Sequence, residues 1–259
     1  FRGKCGVWTK KLQNAQVNEF IDITDRKVKC QLAKNDEIKG DVKNDLKPFD
    51  ATEPTLAHSV LGELCRQGYV NHIISQNVDG LFLKSNLARN YLSELHGNFY
   101  LDECTRCRSR FIRSTASKTM RLQKSTNKCP REKDSWQCSG YLRDTILDWE
   151  SPIPYNELRV AQREAKRNRL HICIGSSMQL RPSKDLVCDP SRNNRYKLVV
   201  INLQPTQLDS KANLVINYYA DEVMKRLADK LDLIPPLYDA ALDPTKRPDR
   251  IGTAWTRML

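Results

Sequence analysis

Residues 75–98 read SQNVDGLFLKSNLARNYLSELHGN. They leave an apolar run, YVNHII at residues 69–74, and lead into the first of two separated cysteine pairs. The run reads as a buried strand, with His72 inside it in a structural role. Beyond it come Gln76, Asn77 and Asp79, and then His96. Two amides and a carboxylate at the end of a buried strand can fix a polar ligand. A histidine beside them can move a proton, because the ordinary imidazole titrates near neutral pH. The plainer alternative is a polar loop with a histidine satisfied in the core, and the neighbouring segments decide between the two.

Upstream, residues 52–68 carry a helical pattern. Thr52 is placed to cap it and Pro54 fits its first turn. Leu56, Val60 and Leu64 form a stripe widened by Ala57 and Leu61, and Gly68 ends it. Downstream, LHICI at 170–174, KLVVI at 197–201 and a very short run at 214–216 read as further strands. Helices are expected at 155–168 and at 220–231, the latter on Val223, Met224, Leu227 and Leu231. Short continuous apolar strands alternating with helices predict an α/β fold, a parallel sheet with helices on both faces. In such sheets ligands bind beyond the carboxyl ends of the strands. Those ends are 75–77, Gly175-Ser176-Ser177 and Asn202-Leu203-Gln204, all small or amide-bearing and suited to ribose hydroxyls, phosphates and a nicotinamide amide. No G-x-G-x-x-G or G-x-x-x-x-G-K run is present.

The remaining segments read less sharply. Residues 10–47 are polar and charged, a surface insertion with at most a brief strand at 20–23. Residues 235–259 are basic and contain prolines, an extended tail over the surface or a partner contact. The chain opens at Phe1 with no Met, so its true N-terminus is expected upstream. No stretch approaches the ~18 apolar residues of a membrane span, and no signal peptide is visible. Lys and Arg number 43 against 31 Asp and Glu, a net charge of +12. That excess favours acidic partners: nucleic acid, chromatin or phosphorylated cofactors. Scattered, solvated surface charge is the alternative.

Of the nine cysteines, Cys5, Cys30, Cys65, Cys173 and Cys188 are dispersed, while Cys104, Cys107, Cys129 and Cys138 cluster. This fits a reducing compartment and one metal site better than a disulfide framework. Cys104-x2-Cys107 and Cys129-x8-Cys138 make a four-thiolate zinc pattern, although the second pair is wider than usual. Free buried cysteines are the other reading. With four thiolates no position stays open for water, so the zinc is structural. The residues between the pairs are rich in Arg, Lys, Ser and Thr, a module that leans on its metal to fold.

Taken together, FRG…GVW at 1–8, SQNVDGL, ELHGN, the four cysteines, GSS at 175–177 and INLQPT at 201–206 resemble the sirtuins in order and spacing. The wide second cysteine pair, LRDTILDWE at 142–150 and SSMQLRPS at 176–183 resemble the nuclear, chromatin-associated branch that holds sirtuin-six and sirtuin-seven, the former more closely. The resemblance covers residues 1–235 except 10–47.

It implies a Rossmann-like NAD-binding domain from 1–98 (with the charged insertion at 10–47) and 142–234, a small zinc-binding insert at 99–141, and a C-terminal tail at 235–259. The implied activity is NAD-dependent protein lysine deacylation, with nicotinamide and O-acyl-ADP-ribose as products and ADP-ribosyl transfer as an added activity of some members. His96 matches the histidine that takes a proton from a ribose hydroxyl. Gln76, Asn77 and Asp79 match the nicotinamide and ribose contacts, and Phe1, Arg2 and Trp8 match the loop over the cofactor. Gly175, Ser176, Ser177, Asn202, Gln204 and Ala220 match the adenosine side, while Trp149 is placed to line the acyl channel. The implied partners are acyl-lysine proteins, histone tails among them, with chromatin or DNA, in the nucleus and with no membrane. The family's glycine-rich phosphate loop lies just before FRG and is not in this sequence. That departure supports a competing expectation, a catalytically degraded sirtuin that binds chromatin or nucleic acid.

Overall fold

The structure, a computed structural model, describes residues 49–133, 136–148, 151–181, 183–187 and 196–255. It also gives the backbone of three short strands, β1 (Gln16–Val17), β2 (Lys29–Cys30) and β3 (Leu32–Ala33). Expectations on Phe1, Arg2, Trp8, Trp149, Cys5, Cys188, the strand at 20–23 and the rest of the 10–47 insertion lie outside the described residues. The chain divides into two compact units, Phe1–Leu46 with Ala165–Asp232, and Lys47–Glu164 with Leu233–Leu259.

The second of these contains the 75–98 stretch. Helix α1 (Leu56–Arg66) begins at the first residue of its apolar stripe and later than the expected start at 52, with Thr55 and not Thr52 as its cap. The cause is Pro54, which disfavours helical backbone in the residue before it. Thr52 instead closes the single turn Phe49–Ala51, its hydroxyl donating to the Phe49 carbonyl at 2.6 Å. Ala57, Val60, Leu64 and Cys65 face the core. Gly68, at φ +79°, reverses the chain beyond the helix. Val70 N–H then donates back to Leu64 O at 3.0 Å and is withdrawn from any ladder. The following strand is therefore β4 (Ile73–Ser75), shorter than the apolar run, and Tyr69 is exposed. His72 precedes it and meets the Ser93 hydroxyl at 2.8 Å.

Helix α2 (Leu81–Lys84), a turn at Arg89–Tyr91 and β5 (Leu92–Glu94) follow. Strand β5 pairs parallel with β4, Ile73 against Leu92 and Ser75 against Glu94. Leu83, Leu87, Leu92, Tyr100, Leu101 and Ile112 build the core around this pair. Next come β6 (Leu101–Cys104), β7 (Arg110–Ile112), β8 (Lys124–Lys128), β9 (Glu132–Lys133), β10 (Trp136–Gln137) and β11 (Tyr141–Asp144). An antiparallel sheet in the order β7-β6-β11-β8 and the hairpin β9–β10 carry the cysteines. Helix α3 (Tyr155–Arg167) buries Glu157, Val160, Ala161 and Ala165 at helical spacing.

The C-terminal segment departs from the surface tail that its composition predicts. Ile234 and Leu237 are exposed, but Asp243, Thr245 and Trp255 are buried. Asp243 accepts the Tyr238 hydroxyl at 2.8 Å and the Thr245 N–H at 2.8 Å. Further along, Gly252 N–H donates to Ile112 O at 2.7 Å, and Trp255 N–H donates to Arg110 O at 2.9 Å. The segment thus lies along the edge strand β7 and places Trp255 in the core.

In the other unit, β12 (Leu170–Ile174), β13 (Lys197–Ile201) and β14 (Leu214–Ile216) pair parallel with one another and with β2. Helices α4 (Ser183–Val187) and α5 (Ala220–Lys230) complete it, α5 burying Met224 and Ala228. Leu198, Val200, Leu208 and Val215 form its core. Both units therefore hold the parallel strand pairing that the apolar runs predict.

Candidate active site and metal centre

Parallel pairing puts the carboxyl ends of β4 and β5 side by side, so the segments leaving them run together. Leu95 N–H prolongs the ladder to Ser75 O at 3.0 Å. One residue on, the His96 ring meets the Gln76 carbonyl through Nδ1 at 3.0 Å. A carbonyl can only accept, which places a hydrogen on Nδ1 and, in the neutral ring, leaves the lone pair on Nε2. His96 is half-buried, and the described residues make no bond to its Nε2.

The loop leaving β4 is shaped by its own side chains. Asn77 N–H donates to Ser75 Oγ at 3.1 Å, and the buried Asp79 accepts Leu81 N–H at 3.1 Å, heading α2. Gly80 stands at φ +70°, and a Cβ there would lie 2.6 Å from the Tyr100 ring and 2.8 Å from Asn98 Oδ1. Phe99 N–H donates to Val78 O at 2.9 Å, fastening the loop to the chain beyond His96. Gln76, Asn77, Asp79 and His96 are thus brought together, with Asn77 exposed.

In the other unit, Ile174, Ile201 and Ile216 share one row of the ladder. Gly175 leaves β12 at φ +61°, donating its N–H to Ile201 O at 2.8 Å. Ser176 Oγ accepts the Met178 N–H at 3.3 Å, with Ser177 between them. The buried Asn202 follows β13, and its Nδ2 donates to Gln204 O at 2.6 Å. Its carbonyl accepts Asn217 Nδ2 at 3.0 Å. Ala220 opens α5 just beyond β14, offering helix N-terminal N–H groups of the kind that receive phosphate. Gly175, Asn202 and Gln204 therefore gather at adjacent strand ends.

The four clustered cysteines meet the geometric test for a metal. Their sulfurs all lie within 4.8 Å of one another, with Cys104 to Cys138 and Cys107 to Cys129 each at 3.7 Å. A tetrahedral zinc with ~2.3 Å bonds places its sulfurs ~3.8 Å apart. Backbone N–H groups of Arg106 and Cys107 point at Cys104 Sγ at 3.3 and 3.4 Å, as suits a thiolate. Gly140 makes room for this, since a Cβ there would lie 2.4 Å from Cys104 Sγ. Phe111 and Leu142 cover the cluster.

Sequence reasoning missed Thr145, which bonds Asn98 just past His96, and the buried Glu157, which accepts the Glu94 N–H and is bonded by Arg89 and Arg110. Glu157 lies on the helix expected at 155–168, and nothing in its neighbours marks its burial.

A family profile described as the Sir2 family matches residues 1–182. The chain is 41% identical over 252 residues to the NAD-dependent protein deacetylase Sirt6 of Drosophila melanogaster, covering 95% of this chain and 70% of that protein. It is 36% identical over 257 residues to the NAD-dependent protein deacetylase sirtuin-7 of Bos taurus, covering 94% of this chain and 55% of that one. Among solved structures it is similar to Sir2Tm bound to a propionylated peptide, at 26% identity and a TM-score of 0.55 over 74% of this chain and 76% of that chain.

Proposed function

This chain belongs to the Sir2 family, and from that premise we propose that it is an NAD-dependent protein lysine deacylase. The observation that carries the reading is the His96 imidazole, fixed through Nδ1 on the Gln76 carbonyl with Nε2 free to accept a proton at the strand ends. The relatives named as NAD-dependent deacetylases and the neighbour bound to a propionylated peptide support it.

NAD supplies the ribose carbon that takes the acyl oxygen and releases nicotinamide. This chain's residues bind it and move the proton. His96 Nε2 accepts the proton of a ribose hydroxyl. Gln76, Asn77 and Asp79 hold the nicotinamide and its ribose. Gly175, Ser176, Ser177, Asn202, Gln204 and Ala220 take the adenosine side, with α5 offering N–H groups to phosphate. For Phe1, Arg2 and Trp8 the loop over the cofactor, and for Trp149 the acyl path, are the roles that the resemblance to the sirtuins implies. Cys104, Cys107, Cys129 and Cys138 hold one zinc, a cross-link within the 99–141 insert, while residues 1–98 and 142–234 form the NAD-binding part. The substrates are acyl-lysine proteins of the nucleus, histone tails among them.

The test is nicotinamide release from NAD with an acetyl-lysine histone peptide. Release is expected from the wild type and absent from His96→Tyr. A silent wild type, or a variant as active as wild type, sinks the reading. A second reading, chromatin or nucleic-acid binding without turnover, draws on the +12 charge and on exposed Arg106, Arg108, Lys124, Lys128 and Arg131 beside the zinc cluster. It predicts DNA affinity that falls linearly on a log–log plot against salt and no NAD binding by calorimetry.

A further inference from the structure

The turn that carries His96 is tied at each of its residues. Gly97 stands at φ +95° with the Thr145 carbonyl where a side chain would be, 1.9 Å from an ideal Cβ. Leu147 N–H donates to His96 O at 3.1 Å. Asn98 N–H donates to Thr145 Oγ1 at 3.0 Å, and Asn98 O accepts that hydroxyl at 2.8 Å. The remaining tie comes from inside. Glu94, the last residue of β5, is 2% exposed, and its Oε1 accepts Asn98 Nδ2 at 2.6 Å. Among the described residues its Oε2 meets no donor.

A carboxyl in that place is unfavourable on its own account. The cations that face it are Arg89, from the turn before β5, and Arg110, from β7, and both are bonded to Glu157 of α3. Glu157 in turn accepts the Glu94 N–H at 3.2 Å. Among the described residues Glu94 therefore makes one direct side-chain bond, and that bond spans His96.

We propose that Glu94 is a positioning residue for His96: its carboxyl, acting through Asn98, fixes the turn so that Nδ1 stays on the Gln76 carbonyl and Nε2 keeps the lone pair. This rests on the reading of His96 as the base. Burial pushes the Glu94 carboxyl up to about 7, against Arg89, Arg110 and the Asn98 bond and with help from Glu157. Protonated or not, the carboxyl still presents an oxygen to the Asn98 amide, so the tie persists across neutral pH.

The experiment pairs turnover with the histidine tautomer in the protein alone, read by NMR on ¹⁵N-histidine-labelled full chain, the His96 signals identified by their loss in His96→Gln. Wild type shows hydrogen on Nδ1. Glu94→Met, of similar length and without an acceptor, mixes the tautomers and lowers kcat about tenfold to a hundredfold, with KM for NAD within about twofold because no NAD contact is touched. Glu94→Gln keeps an acceptor and rescues both. Asn98→Ser removes the same bond and reproduces the loss, which does not add to that of Glu94→Met; it decides the matter should Glu94→Met fail to fold. Unchanged tautomer and kcat in the variants lacking the bond overturn the proposal, as does a Gln variant no better than Met. A wild type that shows the Nδ1 tautomer but releases no nicotinamide defeats the deacylase reading instead, and the tautomer in the variants still decides the role of Glu94.

Discussion

At Gly97 a positive φ and the Thr145 carbonyl together leave no room for a side chain. Gly97→Ala should destabilise the second unit by on the order of 2–4 kcal/mol, seen as a lower urea midpoint, with turnover lost as the His96 turn shifts. Glu94 yields a pH prediction whose sign follows from proton counting. The unfolded carboxyl releases its proton near 4.5, whereas the folded one holds it to about 7. Between those values the folded chain binds more protons, so this group's contribution makes stability fall as pH rises and level off above 7. Urea midpoints from pH 4 to 8 should show that slope, and Glu94→Gln should flatten it. The histidine is legible in ELHGN, but Glu94 reads there as one more acid, since only its burial separates it from a solvated one.

At the scale of elements, the cysteine cluster and the C-terminal segment make opposite lessons. Metal-ligand spacing is local, and the sulfurs lie together as the spacing predicts. Gly140 escapes such reasoning, because its contact is with Cys104, far back along the chain. One zinc per chain is expected by elemental analysis, falling in Cys138→Ser, and a strong chelator should lower the melting temperature by unfolding the β6–β11 sheet. The C-terminal segment has no period to read. Its order comes from the edge of β7 and from Trp255, which lies in the core with Arg89 over its ring at 5.0 Å. Trp255→Ala should cost about 3–5 kcal/mol, measured by urea unfolding, far more than a surface tail could lose.

Across the whole molecule, the +12 charge is what the second reading, polyanion binding, draws on, and it can be tested apart from catalysis. His96→Tyr should bind a DNA duplex with the wild-type salt slope while releasing no nicotinamide, since the charges that meet phosphate are not those at the strand ends. By itself the sequence pointed to the α/β class, to polar strand ends and to four clustered thiolates, while the role of His96 came from the resemblance to the sirtuins. Strands and helices depend on periodicity that the chain states locally, and the cysteines and ELHGN on the order and spacing of motifs. Tertiary structure decided the burial of Asp243 and Trp255, and the ties among Arg89, Arg110, Glu157, Glu94 and Asn98. Those depend on which distant groups exclude water from one another, and a carboxylate or tryptophan looks the same in sequence whether solvent reaches it or not.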